Sequence, residues 1–223
     1  MWKIIMFGWL LALFGCEKQE ETKLDLPALN REKDMKVFYP VLRNYDPADL
    51  YAETLVHRPI ADGLAVFASR RIPRPQGRLG IDYVLKAHLS VYDLSQEEIL
   101  AACYENFFAA KIKVDVREED DSKLFQFSSS HDLVAAILGH KSTYPRFAEM
   151  TGSADIAVLI MSPHMICITA AGSSFEPVLA DIAAKAARES GVIDLTPSVY
   201  YCTKEGKLVR ESEWKRQNAT RRP

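Results

Sequence analysis

The sequence predicts an α+β domain, a mostly antiparallel sheet with helices packed on one face. Three observations predict it. Apolar or period-two segments come in pairs joined by short turns, the pattern of hairpins. Between the pairs lie segments that open on capping residues and repeat apolar positions at helical spacing. The order that results is ββα, ββα, (α)ββα, ββ.

Residues 17–34 (EKQEETKLDLPALNREKD) are charged and poor in aromatics, the composition of a flexible tether, with a fraying helix as the alternative. A single domain is expected over residues 35–212, starting where apolar density rises at Met35–Leu42. Asp46-Pro47 opens a short helix over 47–55. Gly63–Ser69 is a continuous apolar run and reads as a buried strand. Arg71–Gly80 is a loop, since Pro73 and Pro75 deny ladder donors, and Ile81–Leu89 returns as the hairpin partner. Ser95-Gln96-Glu97-Glu98 is a capping box, and Ile99, Cys103 and Phe107 share one face of a helix ending near Ala110.

Lys111–Arg117 alternates apolar and charged residues, Glu118–Ser122 makes a turn, and Leu124–Phe127 returns. Ser130 caps a short helix through Leu138, with Gly139 as its left-handed terminator, and Pro145 opens a helical turn to Met150. Ile156–Met161 is wholly apolar, a central strand, and Ser162-Pro163-His164 turns it into Met165–Thr169. Ser173 and Glu176 cap the longest helix, with Phe175, Leu179, Ile182 and Ala186 as the inward stripe and Gly191 as the stop. Ser198–Cys202 and Lys207–Arg210 flank Lys204-Glu205-Gly206 as a last hairpin. Residues 213–223 read as a basic, disordered tail.

The first residues carry the clearest address. After Lys3, Ile4–Phe14 is an apolar run that rises roughly 16 Å as a helix, about half a bilayer core, so it reads as a signal segment over residues 1–15. Leu13-Phe14-Gly15-Cys16 resembles a bacterial lipobox. The resemblance implies cleavage after Gly15 and lipidation of Cys16, which would make the membrane a partner through the lipid. The competing reading is an ordinary secretion signal, but no Ala-x-Ala cleavage site lies nearby. In Gram-negative lipoproteins an Asp after the lipidated Cys favours the inner membrane. Glu17 stands there, so the outer membrane, facing the periplasm, is favoured.

Without residues 1–15 the chain holds 27 basic and 30 acidic residues, a balance that gives no reason to expect nucleic acid. The chain has no Gly-x-Ser-x-Gly elbow, phosphate-cradling Gly-x-x-x-x-Gly-Lys-Ser/Thr, Gly-x-Gly-x-x-Gly or His-Glu-x-x-His, and no cofactor is expected. His131, Asp132, His140 and His164 are the candidates for a dispersed hydrolytic centre. As metal ligands, His131 and His140 would sit at opposite ends of a helix roughly 13 Å long, too far apart for one ion, and no metal is expected. Glu118-Glu119-Asp120-Asp121 lacks the alternation and glycine of a calcium loop and reads as a solvated hairpin tip. Of Cys103, Cys167 and Cys202, an oxidising compartment permits one disulfide. Three buried thiols are expected ahead of any bond; were one to form, Cys167–Cys202 is the pair, because both lie in strands. Cys103 sits on the apolar stripe of its helix and makes a poor nucleophile. Arg70, Arg71, Arg74 and Arg78 are the candidate partner-binding residues. Their guanidinium groups, on a proline-stiffened loop, suit a carboxylate-rich protein or anionic headgroups, against the alternative of a merely solvated loop.

Residues 58–108 add a resemblance. Arg58-Pro59-Ile60-Ala61-Asp62-Gly63-Leu64-Ala65-Val66, a variable hairpin, then Leu94-Ser95-Gln96-Glu97-Glu98-Ile99 with Ala102 and Glu105-Asn106-Phe107 resemble the YtpQ-type family. Asp132–Leu138 and Ile156–Ile160 followed by Pro163 fit the same order. The chain departs from that family at Ser162-Pro163-His164-Met165, where a Pro-x-Arg-Asp is common. The resemblance implies the fold over about residues 36–210 and no activity. The function expected is that of a lipid-anchored envelope binding protein, such as an immunity or envelope-machine accessory lipoprotein. An envelope hydrolase is the alternative.

Overall fold

Asn30 opens the fold. Its side chain accepts the Lys33 N–H at 3.0 Å and caps one short helix, α1 (Arg31–Met35). The computed structural model describes residues 29–73, 79–110, 112–129, 133–189, 195, 197–203 and 205–219. The leader, Cys16 and most of the expected tether lie outside them. Within them the tether ends earlier than its composition suggested, because α1 is folded onto the domain by Asp34.

A smaller sheet follows, built from β1 (Phe38–Asn44), β2 (His57–Ala61), β3 (Leu64–Pro73) and β4 (Leu79–Tyr83). Its order is β1-β3-β2, with β4 also paired to β3. The helix before β2, α2 (Leu50–Thr54), is shorter than expected. β3 runs past Ser69 to Pro73, because β4 supplies ladder partners from Ser69↔Tyr83 to Pro73↔Leu79. β4 in turn stops at Tyr83, short of the expected Leu89. The chain turns there into one 3₁₀ turn (Lys86–His88) and α3 (Leu89–Tyr92), which buries Tyr92 edge-on to Phe38. The capping box is present as expected. Ser95 Oγ accepts the Glu98 N–H, and the Glu98 carboxylate accepts the Ser95 N–H at 2.7 Å, opening α4 (Gln96–Phe108).

The larger sheet contains β5 (Lys113–Glu119), β6 (Ser122–Ser128), β7 (Ile156–Ser162), β8 (Met165–Ala170), β9 (Ser198–Cys202) and β10 (Leu208–Arg210). Its order is β10-β9-β7-β8-β6-β5, with every neighbour antiparallel. The α+β class with antiparallel sheets is what the sequence predicted, and β7 is central and buried along Ile156–Ile160. Strand alternation divides its side chains. Ile156, Val158 and Ile160 join the main core with β1, β3, α4 and the 3₁₀ segment Val134–Gly139, whereas Ala157 and Leu159 face a second cluster under α6 (Glu176–Glu189). A further helix, α5 (Thr143–Thr151), covers β6–β8 from the main-core side and packs Phe147 on Phe127.

Three expectations need correction. The stripe of α6 is Phe175, Leu179 and Ala183, one i, i+4, i+8 row, while Ile182 turns outward. Gly139 ends its segment without a left-handed φ, and close approach is what demands a glycine there. An added Cβ would meet Tyr104 Oη and Val66 Cγ2, each at 2.5 Å. The tail is helical as α7 (Glu211–Ala219), because Trp214 stacks on Tyr201 with centroids 4.4 Å apart. The cysteines follow the expectation: Cys103, Cys167 and Cys202 are free, buried thiols. Cys167 and Cys202 flank β7 from opposite sides and belong to opposite faces of the sheet, so they cannot pair. Gly191 lies outside the described residues.

Candidate functional site

The hairpin β3–β4 carries the most concentrated polar chemistry of the described residues. Arg70 sits directly across from Asp82 in the ladder, and its guanidinium bonds that carboxylate. Its other terminal nitrogen lies 3.4 Å from Asp34 Oδ2, brought in by α1. The same oxygen accepts the Tyr92 hydroxyl at 2.9 Å and the Asn30 N–H at 2.9 Å. Arg70 is only 5 % exposed, and its Nε has no hydrogen-bond partner. Burial of the ring and the bond to Asp34 push the Tyr92 phenol far above its usual range, so it stays a donor. His88 packs edge-on to Tyr92, and its Nδ1 accepts the Leu85 N–H at 3.3 Å. Burial, aided by the Arg70 charge, lowers its pKa and keeps the imidazole neutral near pH 7.

A cavity of about 320 Å³ opens beside this cluster, lined by Leu29, Arg70, Ile81, Asp82, Tyr83, Leu85 and His88. Chemically the cluster is a latch. Two carboxylates share one buried guanidinium, and they tie α1, β3, β4 and α3 together.

This corrects the reading of Arg70 as an exposed partner-binding residue: it is a strand residue whose charge is consumed inside the fold. Arg71 is also in β3, with its guanidinium 3.3 Å from the Tyr39 ring centroid. Arg74 and Arg78 lie outside the described residues.

The described members of the histidine constellation, His140 and His164, lie apart. The Ala135 N–H donates to Pro163 O at 3.0 Å, which pins the start of the 3₁₀ segment to the turn bearing His164. His140 follows the other end of that segment, roughly 12 Å away at 2 Å per residue. His140 lies against Tyr104 and Phe108, each centroid 4.8 Å from its own. Its Nδ1 takes both the Ser142 hydroxyl, at 2.7 Å, and the Ser142 N–H, at 3.2 Å. That is a local turn motif, with no carboxylate bonded to it among the described residues. Burial, then Lys141, Arg146 and Arg58, lower its pKa. His131 and Asp132 lie outside the described residues, and among the described residues no His/Cys/Asp/Glu group has the geometry to hold a metal ion. Burial pushes the Cys103 thiol up to about 12, as expected for a core cysteine.

Sequence reasoning missed Asp34, Asp82, His88 and Tyr92 as parts of one cluster. Only the facing positions of Arg70 and Asp82 in a foreseen hairpin held a local signal. No known family model, no curated protein and no solved structure matches this chain.

Proposed function

We propose that the protein is a lipid-anchored binding protein of a bacterial envelope. It is tethered through Cys16, with the outer membrane favoured by Glu17, and engages a protein partner with the arginine-bearing β3–β4 hairpin. The observation that carries the reading is the latch. Asp34 ties the start of the folded chain to Arg70 and, through it, to Asp82, so the tether enters beside the two strands of that hairpin. Residues 17–29 span at most roughly 45 Å when fully extended, which keeps the hairpin close to the lipid. Arg71, Arg74 and Arg78 would then meet an acidic surface on a membrane-proximal partner. Arg70 takes no part beyond holding the hairpin.

The test is cross-linking of the tagged protein in intact cells, wild type against R71E/R74E/R78E, with membrane fractionation of C16A alongside. One abundant partner lost with the hairpin charges supports the reading. A partner retained by the triple variant removes the hairpin from it, and normal membrane fractionation of C16A removes the anchor.

A further inference from the structure

β5 ends the larger sheet, and among the described residues it pairs only with β6. It is seven residues long and almost wholly exposed, including Val114 at 42 % and Val116 at 49 %. Both valines stand opposite core residues, Phe127 and Phe125, so they extend the apolar face of the sheet into solvent. The hairpin to β6 turns through Asp120 and Asp121, with Asp120 at φ 50°. In such a two-residue hairpin the closing pair, Glu119–Ser122, is hydrogen-bonded. Odd-numbered residues of β5 therefore bond β6, and Val114, Val116 and Glu118 turn their N–H and C=O groups outward.

The side chains of this edge make it complementary to itself. We propose that β5 pairs antiparallel with β5 of a second copy about a twofold axis at Val116, joining two larger sheets into one. In that register Lys113 faces Glu119 and Asp115 faces Arg117, and the symmetry repeats both pairs. Val116 meets its own copy on the apolar face, and Val114 lies opposite Glu118. Outward backbone groups must meet outward groups, so the neighbouring allowed registers are shifted by whole steps of the ladder. Centring on Asp115 sets Asp115 against itself and Lys113 against Arg117. Centring on Arg117 sets Arg117 against itself and Asp115 against Glu119. Among these three registers, charge selects the one centred on Val116. An edge defended against all partners would carry charges that also repel its own copy, and this one does not. Neither the lipid anchor nor the arginine hairpin takes part in this pairing.

Oxidative cross-linking of the full-length protein tests it. V116C should give a covalent dimer on a non-reducing gel, because the two positions face each other within disulfide reach. V114C should not, because its two copies lie roughly 14 Å apart along the strands. Sedimentation of the same protein supplies the second arm. R117D should weaken self-association roughly ten- to a hundredfold by setting Asp115 against an acid twice, and the exchange D115R/R117D should restore it. Unchanged urea midpoints would separate lost pairing from lost folding. Cross-linking of V114C as strong as that of V116C, a monomer at every concentration, or failure of the double exchange to rescue would each overturn the proposal.

Discussion

Replacing Asp34 by alanine should destabilise the domain by about 3 kcal/mol. The Asp34 side chain is 15 % exposed, and its Oδ2 takes the Tyr92 hydroxyl, the Asn30 N–H and one nitrogen of Arg70. Removing it strands the hydroxyl of Tyr92, a residue 1 % exposed, at about 1–3 kcal/mol for an unsatisfied buried donor. Arg70 keeps Asp82, so the 3–5 kcal/mol typical of breaking a buried ion pair is only partly incurred. Asn30 N–H, at an exposed helix start, is rehydrated at little cost. The net is about 2–4 kcal/mol, a fall in Tm of roughly 4–16 °C for a domain of this size. The assay is equilibrium urea denaturation followed by far-UV circular dichroism, with D34N alongside. The asparagine keeps an acceptor for Tyr92 but loses the charge, so it should fall between wild type and D34A. A loss under about 0.5 kcal/mol in D34A would mean that the latch does not hold α1 and that the tether does not enter beside the hairpin.

Three further outcomes follow from the same geometry. G139A should cost at least about 1–3 kcal/mol in urea denaturation, through the clash with Tyr104 and Val66, and G139A/Y104F should recover part of it. G152A meets nothing within 4 Å and should cost about 1 kcal/mol, from its left-handed φ alone; equal losses at the two positions would contradict the packing. The thiols of Cys103 and Cys202, pushed up to about 12, and of Cys167, up to about 11, should resist iodoacetamide at pH 8 and react fully in urea. An intact mass lower by one disulfide would refute the free thiols. His88 and His140 are depressed in the folded state, so above about pH 6.5 they are neutral folded or unfolded and contribute nothing. Below it the unfolded chain takes up protons that the fold refuses, and stability should fall as pH drops from 6.5 towards the folded values. Urea midpoints at pH 7.5, 6.5 and 5.5 measure the slope, and H88Q/H140Q should flatten it; an unchanged slope would assign it to other groups.

Local patterns were enough for the class and for four of the hairpins, but not for β1, β2, α3 or α7, which form on tertiary contacts. The Ser95–Glu98 box, the alternation of Lys113–Arg117 and the apolar run of Ile156–Ile160 each state a conformation within a few residues, because capping and strand pleat are short-range physics. Hairpin partners were legible for the same reason, since a short turn leaves few registers. Tertiary structure alone decided how the hairpins divide into two sheets, and therefore which face each side chain joined. Cys167 and Cys202, near neighbours by strand order, ended on opposite faces of one sheet. Gly139 resembled a helix stop and proved to be a gap left for Tyr104 and Val66, residues far away in sequence. Arg70 and Asp34 each looked like a solvated charge in a charged run. Only the docking of α1 onto β3 and β4 draws both from water, where each charge depends on its partners: Asp34 on Arg70, and Arg70 on Asp34 and Asp82.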